Sequence, residues 1–122
     1  MNIFHIIAWM DDLQMSAHLA KISTTHSYEL HFCDQISQIS NISNHAAMII
    51  DLNSLSEDDL HRIVLSIQER NITLIGYCQE LNGPLLNYFK DMGCEIVFKR
   101  YELIKNLESI LHKIFHAFRS PA

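Results

Sequence analysis

The chain has 122 residues, 48% of them hydrophobic and 19% charged, with a formal net charge of −5. That is enough chain for one domain with a proper core and too little for two, so residues 1–122 read as a single unit. No block of Lys or Arg offers a basic face, which removes nucleic-acid binding by phosphate neutralisation from the first readings.

In chain order, "IFHIIAWM" (Ile3 to Met10) comes first, apolar and bounded by Asp11 and Asp12. It is too short for a typical helix, and no basic region precedes it, so it reads as a buried strand rather than a signal peptide or membrane span. "DLQMSAHLAKIS" follows as a helix, with Asp12 as its N-cap and Leu13, Ala17, Leu19 and Ala20 at roughly helical spacing. "YELHFC" alternates as a short strand, and "ISQISNIS" sets Ile36, Ile39 and Ile42 on one side of a short helix or helical turn. "AAMIIDL" is a third strand. "SEDDLHRIVLSIQERN" opens with Ser56 and Asp59 in capping-box-like spacing and carries Leu60, Ile63, Val64 and Ile67 as its apolar stripe. "ITLIGYC" is a fourth strand, and "GPLLNYFKDMG" places Pro84 near a helix start and Gly93 just past its end. "EIVF" is the fifth strand. "YELIKNLESILHKIFHAF" closes the series as a long helix with Leu103, Leu107, Ile110, Leu111, Ile114 and Phe118 along one side.

Strands and helices alternate, and the strands are apolar throughout, the mark of a parallel sheet covered on both faces. The expectation is an α/β, flavodoxin-like (βα)5 three-layer sandwich with a five-stranded parallel sheet of order 2-1-3-4-5. In such a sheet the active crevice lies at the carboxyl ends of the strands, beside the switch in strand order. Asp11 and Asp12 end the first strand, Asp51 the third and Lys99 the fifth, so the topology gathers three carboxylates at one edge. Three anions that close repel unless a cation shares the site, and Mg2+ is the natural hard ion for oxygen ligands. A carboxylate so placed is also a nucleophile toward phosphorus, and Lys99 offers a point charge to pair with Asp51 or with a phosphoryl group on it.

These residues resemble those of CheY-like receiver domains of two-component response regulators, over essentially the whole chain. The acid pair Asp11-Asp12, Asp51 with the "DLNSLSEDDL" loop, and Lys99 carry the resemblance. It implies that Asp51 is the phosphoacceptor, that Asp11, Asp12, Asp51 and the backbone carbonyl of Asn53 bind Mg2+, and that Lys99 contacts the phosphoryl group. The readout half departs from the pattern. Cys78 stands where receivers place a Thr or Ser, and a thiol is a much weaker donor than a hydroxyl. Ile96 replaces the aromatic switch residue, and Arg100 replaces the Pro after the Lys. A trans peptide and a reshaped loop are therefore expected between the fifth strand and the last helix. Arg100 is expected to be a solvated surface arginine, the alternative being that it reaches the acid pocket and neutralises it without a metal.

The expected function is a stand-alone, non-enzymatic receiver-like domain that receives a phosphoryl group on Asp51 from a histidine kinase or small phosphodonor. The alternative is a phosphorylation-independent pseudo-receiver that acts as an interaction or dimerisation module, and a flavodoxin-like cofactor carrier is a weaker third. The carboxylates of "WMDDLQM" repel a flavin phosphate in the absence of a metal. The resemblance puts the partner surface on the fourth helix, fifth strand and fifth helix, with Tyr88, Lys90, Tyr101 and Lys105 as contact candidates for a downstream protein or a second copy. Cys33, Cys78 and Cys94, an odd set without CxxC spacing, suit reduced thiols and a cytoplasmic setting. His112 and His116 share a helical face but lack further ligands in sequence, so they read as solvated.

Overall fold

The computed structural model describes residues 3–42 and 45–119. The elements run β1 (His5–Trp9), α1 (Leu13–His26), β2 (Glu29–Phe32), α2 (Ile36–Ile39), β3 (Ala46–Asp51), α3 (Glu57–Ile67), β4 (Ile72–Cys78), α4 (Gly83–Asp91), β5 (Ile96–Lys99) and α5 (Arg100–Arg119). All strand pairings are parallel, and the sheet order is β2-β1-β3-β4-β5. This is the expected architecture.

The alternation of side chains along each strand divides the core in two. Ile7, Met48, Ile50 and Leu74 face one side of the sheet, against Ile39, Leu60, Ile63 and Phe89 of α2, α3 and α4. Ile6, Ala8, Ile49, Ile75 and Tyr77 face the other, against Met15, Leu19, Leu103, Leu107 and Leu111 of α1 and α5. From Ala46 to Ile50, β3 is wholly buried, as a central strand covered on both faces must be.

The helix stripes of α3 and α5 fall where the periodicity puts them, while α1 is turned about its axis. Leu13 is 86% exposed, Ala17 and Ala20 face solvent, and the buried side is Met15, Leu19 and Ile22. The reason lies at its N-cap: Asp12 accepts from the Met15 N–H and is drawn inward by partners on β4 and α5. Residues three, seven and ten positions after an inward Asp12 share its side of the helix. A second difference is at β5. The expected loop is absent, because α5 starts at Arg100 directly after Lys99. Without the Pro, the residue before it is not barred from helical entry and Arg100 keeps its N–H. The described residues contain no cis peptide bond.

Candidate functional site

Asp12, just past the carboxyl end of β1, is met by the carboxyl end of β4 and by the start of α5 directly after β5. Its Oδ1 accepts from the Met15 N–H at 3.1 Å and from Arg100 Nη2 at 3.0 Å. Its Oδ2 accepts from Arg100 Nε at 2.8 Å and from the Tyr77 hydroxyl at 2.9 Å. The guanidinium thus grips both oxygens in the fork geometry that makes Arg–carboxylate pairs strong and directional. Arg100 Nη2 donates as well to Gln14 Oε1 at 3.0 Å. The pair is largely shielded, with side-chain exposures of 12% for Asp12 and 22% for Arg100.

The charges respond accordingly. The Arg100 hydrogen bonds hold the Asp12 carboxyl at about 2, against an ordinary value of 3.8, with the Met15 N–H and Tyr77 hydroxyl helping and burial opposing. Arg100 is in turn held more firmly protonated by Asp12. Burial pushes the Tyr77 phenol far up, and the negative charges of Asp51 and Asp12 add to it. Tyr77 is therefore a neutral donor at any physiological pH. Its register partner on β3 is Asp51.

Asp51 is half-buried at the end of β3, and its Oδ1 accepts from the Asn53 N–H at 3.0 Å in a turn that reverses the chain. The Asn53 side chain bridges to the next loop, accepting from the Gln79 N–H at 2.8 Å. Asp11, the residue before Asp12, is exposed. Lys99 is exposed on β5 in register with Cys78, and among the described residues no ion pair joins it to Asp51. Cys78 is buried, its Sγ 3.2 Å from the Glu80 carbonyl, and burial followed by the Asp51 charge pushes its thiol up. Ile96 is 40% exposed.

The arginine expected in solvent is therefore the cation of the pocket. The physical reason is the helix start: Arg100 at the first position of α5 points its side chain back over the strand ends toward Asp12. Tyr77 went unnoticed in the sequence because an aromatic inside a buried strand reads as core. A signal existed in the phenol itself, since a buried hydroxyl must find an acceptor. The donor set also tests the fit of a metal. Both Asp12 oxygens are occupied by N–H and O–H donors, so Mg2+ at Asp12 would have to displace Arg100.

No family model matches the sequence, and no curated protein is similar to it at a significant level. Solved structures are. Over 93% of its length the chain superposes on 99% of the chemotaxis response regulator CheY4 of Vibrio cholerae, with a TM-score of 0.70 and 11% identity. A protein of Burkholderia pseudomallei described as pilus assembly-related matches 92% of this chain and 89% of its own, at TM-score 0.67 and 18% identity. The signal receiver domain of a DNA-binding response regulator from Colwellia psychrerythraea gives 89% and 98%, at TM-score 0.62 and 16% identity. Identities this low carry the fold and not the chemistry, and the fold of this chain is that of a CheY-like receiver, with its acid pocket beside the β1/β3 switch in strand order.

Proposed function

We propose that this receiver-like domain signals through protein–protein contact without a phosphorylation step, Arg100 standing where a divalent cation would serve the acid pocket. The observation that carries the reading is the two-pronged Arg100–Asp12 pair, closed by the Tyr77 hydroxyl. It supplies the positive charge that clustered carboxylates require and does so permanently. Cys78 and Ile96 support it, since neither offers a hydroxyl or ring through which a phosphoryl group would be read. The contact surface is α4–β5–α5, where Tyr88, Ile96 and Tyr101 are exposed at 42%, 40% and 67%, with Lys90 and Lys105 exposed among them. A second copy of the chain is the simplest partner for that face.

One observation favours the phosphorylatable reading: among the described residues, the Asp51 side chain accepts a single hydrogen bond. Its remaining capacity could meet a phosphodonor or histidine kinase, with Lys99 moving in. Intact-mass spectrometry after acetyl phosphate and Mg2+ at neutral pH separates the two. The wild type is expected to gain no phosphoryl mass and to give no Mg2+ heat in calorimetry, while Arg100→Ala, which removes the guanidinium from both Asp12 oxygens and leaves only the Met15 N–H and Tyr77 hydroxyl there, gains Mg2+ affinity. A Mg2+-dependent adduct on the wild type that disappears in Asp51→Asn would overturn the proposal.

A further inference from the structure

The end of β1 farthest from Asp12 carries a second cluster. His5 and Glu29 are register partners across β1 and β2, and His31 is two residues further along β2. Side-chain alternation places all three on the sheet face of Ile7, at the β2 edge. His5 Nδ1 and His31 Nε2 are 2.9 Å apart, and His5 Nδ1 lies 3.7 Å from a Glu29 carboxylate oxygen. The rings stack at 5.2 Å, and one ligand atom from each residue lies within 4.8 Å of the others. His5 is 14% exposed and Glu29 52%, so the site is walled on one side and open on the other.

We propose that His5 Nδ1, His31 Nε2 and a Glu29 carboxylate oxygen form a binding site for a late first-row divalent cation such as Zn2+, with its fourth position open to solvent. Donors about a common tetrahedral Zn2+, at 2.0–2.2 Å each, sit roughly 3.3–3.6 Å from one another. The two distances from His5 Nδ1, 2.9 and 3.7 Å, bracket that spacing, and the three donors lie within 4.8 Å of one another, with the exposed Glu29 side chain free to rotate toward the ion. Two imidazoles and one carboxylate suit Zn2+, Ni2+ or Cu2+ and not Mg2+ or Ca2+. Ligation needs neutral rings. Without the ion, the same two nitrogens share one proton in an N–H···N bond, which fastens the edge strand and nothing more.

Calorimetric titration of the full chain with Zn2+ decides between them. One Zn2+ per chain is expected, with no saturable binding of Mg2+ at this cluster. His31→Gln should lower Zn2+ affinity at least about 100-fold, beyond the usual cost of an outer-shell change. Glu29→Gln, exposed on an edge strand and safe for folding, should weaken it as well. The double variant His112→Ala/His116→Ala tests the exposed pair on α5, whose rings are 4.5 Å apart, and should leave the affinity unchanged. Absence of saturable Zn2+ binding, or binding lost only with His112 and His116, overturns the assignment.

Discussion

Asp12 shows how one side chain is specified twice. Locally it is an N-cap, a role any Asp before an apolar periodic segment can take. Tertiary contacts then add Arg100 and Tyr77, which turn a weak capping interaction into a charged knot between α1, β4 and α5. A carboxylate whose folded value is about 2 against 3.8 contributes stability that is fully present above the ordinary value and is lost as pH falls through about 2. The increment is about 2 kcal/mol. Urea unfolding of the wild type from pH 5 to pH 2 should show that loss, and Asp12→Asn should flatten this part of the curve. Parallel curves for the two proteins would mean that Arg100 does not hold the carboxylate.

At the scale of elements, the strands and the amphipathic helices α3 and α5 were readable because burial periodicity is local information. Ser56 caps α3 as its spacing suggests, accepting from the Asp59 N–H at 3.1 Å. The rotation of α1 was not readable, since two apolar arcs compete along it and the one that wins is chosen by the partners of Asp12. Glycine positions tell a similar story. A Cβ on Gly76, inside β4, would lie 2.6 Å from Leu52 Cδ1 and 2.9 Å from Cys94 Sγ, both side chains being buried. Gly76→Ala should therefore cost about 1–3 kcal/mol by overpacking. Gly83, at the start of α4 with nothing within 4 Å, is the control: Gly83→Ala should be neutral or stabilise by up to about 1 kcal/mol. Chemical denaturation of both variants checks the contrast, and equal effects would contradict the close approach at Gly76.

For the whole molecule, the two-sided sheet leaves Asp12, Tyr77 and Arg100 together at the strand ends and Tyr88, Ile96 and Tyr101 exposed on α4–β5–α5, the face proposed for contact. Tyr101 is exposed and adds little to the monomer, so Tyr101→Ala should change unfolding free energy by less than about 0.5 kcal/mol. If that face joins two copies, the same substitution should weaken association by about tenfold or more in sedimentation equilibrium, as central aromatics at interfaces do. A concentration-independent monomer in the wild type would remove the second copy as partner. Among the described residues, no helix is long and apolar enough to cross a membrane.

The sequence by itself determined the alternation of elements, the parallel sheet and the strand ends at which Asp12 and Asp51 stand, because hydrophobic period and segment length are written within each stretch of chain. Only the tertiary structure decided that Arg100, not solvent, would face Asp12, that Tyr77 would donate to it, and that His5 would meet His31 and Glu29. Those pairings join residues 24 to 88 positions apart. Such distances close only when strand order, register and helix rotation are all set, and no local pattern carries that information.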